Sequence, residues 1–393
     1  MSCIRSAKGA RLAAASTTAL CALVAGRVHA GAWSTAGDAS LSTTYDDNVR
    51  FAPGDKIADE LATLEGDLHI DWMEDASQLS LVPRARTIRY RDYRAYDRSE
   101  GFLSLSGERK TERSHIDLRI DGSLDTTVTS ELGFTGYSDT NKRRRGLNVS
   151  LSPQYRLTEL LALTGSIAAS FNRYVDARFT PLVDYDYKSV TLGLQRTLNE
   201  RSTLALQASV GRMRVPGRAQ YDKDNYQLVL DYNHQFGERW TTELAWGPSR
   251  VRSQAFHRTD SGLVYTASLI RKGERSTLSL SATRTVSPNG LGALARRDVF
   301  GATLQRNVTE RMTLDANANW SRVLNSSLDG GFSNSRLSYL DVGIGVRWKP
   351  APTWTVSFGL GRSLESYGVP VTNAGKTIAQ LGFNWAGLGS VGT

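Results

Sequence analysis

Apolar and polar residues alternate one by one over most of the chain, most cleanly at 114–121. There Ile116, Leu118 and Ile120 take one side, while His115, Asp117, Arg119 and Asp121 take the other. Successive side chains of an extended strand point to opposite faces, so the pattern predicts a strand with one apolar and one polar face. Comparable runs stand at 38–49, 61–72, 78–90 and 101–108. They continue in pairs at 146–155 and 161–174, 185–197 and 203–214, 221–235 and 240–252, 262–271 and 276–286, 298–306 and 312–323, and 337–348 and 354–364, and end with a single run at 376–385.

Short turns separate the members of each pair, and their wording repeats. Asn199-Glu200-Arg201-Ser202-Thr203-Leu204, Gly273-Glu274-Arg275-Ser276-Thr277-Leu278 and Val308-Thr309-Glu310-Arg311-Met312-Thr313-Leu314 are versions of one phrase. The central Glu recurs at 112, 159, 200, 238, 274 and 310. A spacing of roughly 36–47 residues with a strand on each side of every turn means two strands and one longer connection per unit. Eight tight turns in all, these six among them, plus a first and a last strand predict an all-β, single antiparallel up-and-down barrel of about eighteen strands, with sixteen or fourteen as alternatives. Most runs are roughly 9–14 residues, the length a tilted strand needs to cross a bilayer and more than a soluble sandwich uses. The longest connections are expected at 122–142 and 324–336.

The polar faces decide what the apolar faces meet. Asn148, Ser150, Ser152 and Gln154, then Asp315, Asn317 and Asn319, then Asp341, Gly343, Gly345 and Arg347 are too polar to pack as a core. The opposing sets, such as Val190-Leu192-Leu194 and Val342-Ile344-Val346-Trp348, must therefore face lipid. The mean hydropathy of −0.34 agrees, because only alternate residues need be apolar in such a barrel. Closure pairs every backbone group, which an open sheet in lipid cannot do.

The first thirty residues read as a cleaved secretory signal, leaving 31–393 as the barrel. Arg5, Lys8 and Arg11 precede an apolar stretch, and Val28-His29-Ala30 is a small-x-Ala cleavage site. Both cysteines, Cys3 and Cys21, fall in that leader, so the mature chain is expected to have no disulfide, thiol catalysis or cysteine metal site. Four basic residues of the formal +9 also lie there, leaving about +5, too little for a nucleic-acid binder.

The Tyr45-Asp46-Asp47-Asn48 opening, the 126–136 stretch running into Asn141-Lys142-Arg143-Arg144-Arg145, the phrase Leu151-Ser152-Pro153-Gln154-Tyr155-Arg156-Leu157-Thr158-Glu159 and the Glu-Arg turns together resemble a bacterial family of β-barrel porins. Members of that family are often associated with exopolysaccharide export. The resemblance spans nearly the whole mature chain. It implies a Gram-negative outer-membrane protein serving polysaccharide secretion, with outer-membrane lipids, a polysaccharide and export-machinery proteins as partners. It supplies no catalytic residues and no cofactor.

Lumenal charges are the remaining candidates. Asp67, His69 and Asp71 share one strand face opposite Arg84 and Arg86, and Arg113, Asp117, Arg119, Asp121 and Arg347 carry the same polar parity. Asp67, His69 and Asp71 have a spacing metals use, but polar barrel walls carry such networks anyway, so a salt network is the expectation and no metal site is. No histidine of the mature chain sits in a nucleophile phrase, so no enzyme is expected. Lys142, Arg143, Arg144 and Arg145 form a basic run at the expected outer mouth, suited to an anionic polymer or to lipid phosphates. Tyr93, Tyr96, Tyr185, Tyr187 and Tyr221 are expected in aromatic girdles. The leading expectation is a channel or accessory conduit for exopolysaccharide. A general diffusion porin with mild anion preference and a non-conducting structural barrel are the rivals. Tight turns and both termini are expected on the periplasmic side, and the oligomeric state stays open.

Overall fold

The computed structural model describes residues 31–130, 141–176, 180–324, 337–367, 372–387 and 390–392. The expected leader at 1–30, the centre of the 122–142 connection and the 325–336 segment lie outside the described residues.

Eighteen long strands follow one another in the wall. They are β1 (Ala32–Asp46), β2 (Asp59–Glu74), β3 (Ser77–Tyr90), β4 (Arg98–Lys110), β5 (Ser114–Thr126), β6 (Arg143–Arg156), β7 (Leu161–Tyr174), β8 (Tyr185–Asn199) and β9 (Ser202–Arg214). The second half comprises β10 (Lys223–Phe236), β11 (Trp240–Ser253), β12 (Arg258–Lys272), β13 (Ser276–Pro288), β14 (Leu294–Asn307), β15 (Met312–Leu324), β16 (Leu337–Ala351), β17 (Trp354–Tyr367) and β18 (Thr372–Ala386). Each pairs antiparallel with its sequence neighbours, and β1 also pairs with β18, from Asp38↔Ala386 to Asp46↔Ile378. The sheet is closed, an 18-strand up-and-down barrel. A short β19 (Ser390–Gly392) extends the tail along Trp33–Thr35 of β1.

Every predicted run is present, and nearly all are longer than the alternation alone suggested. The clearest extension is at β5. Residues 122–126, read as loop, stay in the ladder because Gly122 and Ser123 pair with Leu147 and Gly146. A single helical turn at Thr127–Ser130 follows. Gly and Ser carry little apolar signal, which is why the strand end was hidden there.

The faces fall as the alternation demands. Leu192 on β8 is 61% exposed and Ile344 on β16 is 63% exposed, values that no water-soluble core residue would show. Along the tight-turn rim the outward side chains include Trp33, Tyr155, Phe236, Trp348, Trp354 and Trp385, all exposed. Such an aromatic row belongs at the edge of the hydrocarbon layer. The outward apolar band and closed ladder make this a membrane-spanning barrel of the outer-membrane type.

Buried apolar residues gather inside the barrel at the long-loop end. Tyr174, Leu182, Val183, Tyr185, Met213, Val215, Val251, Val264, Val286 and Leu294 form one cluster.

Candidate functional site

The charged wall is built by β1 to β6. Period-2 geometry turns Asp67, His69 and Asp71 of β2, Arg84 and Arg86 of β3, Asp117, Arg119 and Asp121 of β5 and, beyond the β1–β18 closure, Arg347 of β16 toward the lumen. They do not act alone. Arg84 stands 3.7 Å from Glu65, and Arg86 donates to Glu100 at 2.5 Å through Nη2 and 2.9 Å through Nε. Both guanidiniums also lie over the Phe102 ring, at 4.7 and 5.5 Å from its centroid. Arg119 Nε donates to Asp121 Oδ2 at 2.7 Å, with Ser104 Oγ donating to Oδ1 of the same carboxylate at 2.8 Å. Arg347 forms a two-toothed pair with Asp315, both contacts 2.7 Å. A concavity of about 510 Å³ runs along this wall past Asp67, Arg84, Phe102, Arg119 and Asn148.

Strand order brings Asp38 of β1 to the His69 imidazole, at 3.7 Å, with Asp67 Oδ2 at 2.7 Å. The three offer one ligand atom each within 4.8 Å of one another; Asp71 lies outside the group. Glu108, His115 and Asp117 form a similar set nearer the tight turns. Glu108 and Asp117 stand 2.9 and 3.2 Å from the His115 ring, and Lys110 also pairs with Glu108. These are the paired charges of a polar wall.

Three expectations are corrected. Arg113 is in the tight turn between β4 and β5, exposed, rather than on a strand face. The basic run is not one patch, because it opens β6 and alternates across the wall. Arg143 and Arg145 point outward and are exposed. Arg144 points inward, donating to both oxygens of Asp125 at 2.9 and 2.7 Å and to Asn172 Oδ1 at 3.0 Å. Lys142 stays in the preceding loop, its N–H donating to Thr127 Oγ1. The five tyrosines are not girdle residues either. Tyr185 is in the internal cluster, Tyr187 and Tyr221 pack against it, and Tyr93 and Tyr96 meet as tilted rings beside Tyr90.

The internal cluster has a cause that alternation concealed. Val286 of β13 and Leu294 of β14 have the same parity as the lipid-facing Leu280 and Phe300. Yet Leu294 is 1% exposed and packs with the inward residues Tyr185, Met213, Val251 and Val264. The loop end of the β13–β14 hairpin therefore bends into the lumen and lays its outer face against the inner wall of β8 to β12. Its tip meets two other connections. The Val183 N–H, from the β7–β8 loop, donates to the Gly290 carbonyl oxygen at 2.8 Å. Gly292 has φ +75°, and a Cβ there would stand 3.0 Å from Val183 and 3.1 Å from Tyr221. Glycine is what permits both the turn and the approach.

The Tyr45-Asp46-Asp47-Asn48 phrase closes the barrel at the same end. Asp46 accepts from Lys376 Nζ at 3.1 Å, Asp47 accepts from the Thr377 N–H at 2.7 Å, and the buried Asn48 amide donates to the carbonyls of Ala52 and Gly375. Phe51, just beyond, packs on Tyr339 of β16.

Residue reasoning put Glu65 and Asp315 on inner faces without pairing them to Arg84 and Arg347, and it missed Glu100 and Asp125, which hold Arg86 and Arg144. It also missed the inward hairpin, which outward-parity charge does not mark by itself, since Lys188, Arg212 and Arg250 carry such charge on strands that stay in the wall. Arg284, Arg296, Asp298 and Arg322 put charges at outward parity where aliphatic residues would be expected. Asp298, 1% exposed, accepts from Arg284 at 2.5 and 2.9 Å and from Arg322 at 2.8 Å.

No family model matches the chain, and no curated protein does. Among solved structures, similarity is found to Pseudomonas aeruginosa OpdK with vanillate, at 11% identity and a TM-score of 0.48, covering 91% of this chain and 99% of that one. Acinetobacter baumannii OccAB3 is similar at 9% identity and a TM-score of 0.48, covering 91% and 99%. Pseudomonas aeruginosa OccK2 (OpdF) in complex with glucuronate is similar at 12% identity and 0.47, covering 91% and 98%. Nothing in these likenesses supports the exopolysaccharide association.

Proposed function

We propose that the protein is an outer-membrane diffusion channel for small polar solutes, with at most a mild preference for anions. The observation that carries this reading is the two-sidedness of the wall: strand after strand turns Ser, Thr, Asn, Gln and paired charges inward while its other face is aliphatic. An 18-strand barrel is wide enough to leave an aqueous channel beside an inward hairpin. Because Arg84, Arg86, Arg119 and Arg347 each have a carboxylate within 4 Å, their fields largely cancel beyond a Debye length. Weak selectivity follows.

In this reading the long connections face the exterior and the tight turns and termini face the periplasm, as in barrels of this type. Polysaccharide export is a finer alternative that rests on the resemblance of the 45–48, 126–145 and 151–159 stretches and the Glu-Arg turns. Swelling of vesicles containing the folded protein, driven by arabinose, glucuronate and glucosamine in turn, tests the proposal. The three should enter at rates within a few-fold of one another, and exclusion of all three would refute a diffusion channel.

A further inference from the structure

The wall has a break. Pairing between β12 and β13 stops at Tyr265↔Arg284. On one side β12 stays paired to β11 as far as Arg258↔Ser253, and on the other β13 stays paired to β14 as far as Pro288↔Leu294. Beyond Tyr265 the two strands part, and residues 258–264 of β12 keep a strand neighbour on one edge only among the described residues.

The lower end of this seam reaches the apolar band, while above it the outward positions Arg250, Arg252, Thr259 and Ser261 are polar. Next to the lower end on the outward face, Leu263 is 60% exposed and Trp246 is 50% exposed, which places both in lipid. Behind it is a cavity of about 300 Å³, at the small end of ligand pockets. Its lining joins the two sides of the wall. Val229, Ala245 and Val264 contribute from inward positions, and Tyr265, Arg284 and Val286 from outward positions at the seam. The cavity therefore lies directly behind the seam, between the inner wall and the displaced hairpin.

Besides the packing of Leu294 and the bond from Val183 to Gly290, one ion pair ties the hairpin to β12. Arg296 of β14 reaches past β13 to β12, where its Nη1 donates to both oxygens of Asp260 at 3.0 and 2.9 Å. The guanidinium lies across Gly262, where a Cβ would stand 2.7 Å from the guanidinium carbon. An unpartnered strand edge is tolerated at the membrane only where it lines a cavity or is covered by protein, and this edge lines one, with polar groups on one side and apolar groups on the other. Arg296 and Arg284 supply the first, and Val229, Val264 and Val286 supply the second.

We propose that the β12–β13 seam is a lateral passage through which the alkyl chain of an amphipathic molecule moves between the membrane and the lumenal cavity, its polar head following the arginines. The inference stands apart from solute diffusion through the lumen and does not require it.

The test uses the full-length protein folded in phosphatidylcholine vesicles containing a phosphatidylcholine with a diazirine on one acyl chain. After irradiation, cross-links are mapped by peptide mass spectrometry. Leu228 and Leu244, which point outward, are the internal controls for Val229 and Ala245, which point inward one residue away. The passage predicts labelling of Val229 within about threefold of Leu228. Ala245→Trp, filling the cavity, should reduce Val229 labelling at least tenfold and leave Leu228 unchanged. Ser209→Trp serves the same end should Ala245→Trp fail to fold. Labelling of Leu228 and Leu244 without Val229 would mean a sealed wall and overturn the proposal. Unchanged Val229 labelling in a folded cavity-filled variant would overturn it equally.

Discussion

The backbone N–H of Val183 donates to the carbonyl oxygen of Gly290 at 2.8 Å, joining connections from hairpins that are not neighbours in the wall. The bond exists because the β13–β14 hairpin has left the wall and crossed part of the lumen. The apolar tip of its outer face, with Leu294 buried among Tyr185, Met213 and Val251, makes the crossing favourable.

Removing that anchor should loosen the hairpin without unfolding the barrel. Leu294→Ala is expected to cost about 2–5 kcal/mol of hairpin docking, the usual range for a buried leucine truncated to alanine. Hydrogen exchange at 285–296 should accelerate while β2 to β6 stay protected. Uniform acceleration over the whole barrel would show that the hairpin is not an independent unit.

The face assignment makes a sharper comparison. Leu192 points to lipid and Thr191, its neighbour on β8, points to the lumen. Leu192→Arg should hinder assembly, since arginine at the midplane of a barrel costs about 2–4 kcal/mol. Thr191→Arg should fold and run as the compact form on an unheated gel. Equal behaviour of the two variants would contradict the assignment.

How much of this was legible in the sequence varies along the chain. Where alternation is backed by pairing on both sides, as at Ile116, Leu118 and Ile120, residue type alone places the strand and its faces. Val286 and Leu294 keep the same alternation while their hairpin leaves β12, and nothing local reports where a ladder stops. The charges at Arg284, Arg296 and Asp298 interrupt the apolar row, but Lys188, Arg212 and Arg250 do the same on strands that stay in the wall, so charge alone does not mark the hairpin. The lumenal pairs depended on register. Arg86 meets Glu100 only because the two are paired across β3 and β4, which turn spacing does not fix to the residue.

Those pairs predict opposite shifts in ion preference. Glu100→Gln leaves Arg86 and Arg98 without the carboxylate they share, so reversal potentials should move toward anions. Arg119→Ser frees Asp121 and should move them toward cations. Both shifts should shrink as salt is raised and screening shortens their reach. Shifts of the same sign would place at least one of these pairs off the conduction path.

The closing seam between β1 and β18 should depend on Asp46. Its carboxylate is nearly buried against Lys376, and removing one partner of such a pair costs on the order of 3 kcal/mol. Asp46→Ala should lower the temperature at which the compact form is lost on heated gels. Combining Asp46→Ala with Lys376→Met should recover part of the loss. An unchanged transition would show that this end of the seam is held by the Asn48 and Asp47 bonds alone.

Orientation is tested by impermeant thiol labelling of intact cells. Gln220→Cys, in the β9–β10 connection, should react, and Glu200→Cys, in a tight turn, should not. The reverse pattern would invert the barrel in the membrane.

The account rests most heavily on a lumen that conducts, and recordings from the purified protein in planar bilayers test this directly. The wild type should give stepwise conductance with weak ion selectivity, and Leu294→Ala should raise the step size by releasing the hairpin from the lumen. A protein that runs as a folded barrel on unheated gels yet gives no conductance, in either form, would contradict the channel and leave a structural barrel in its place.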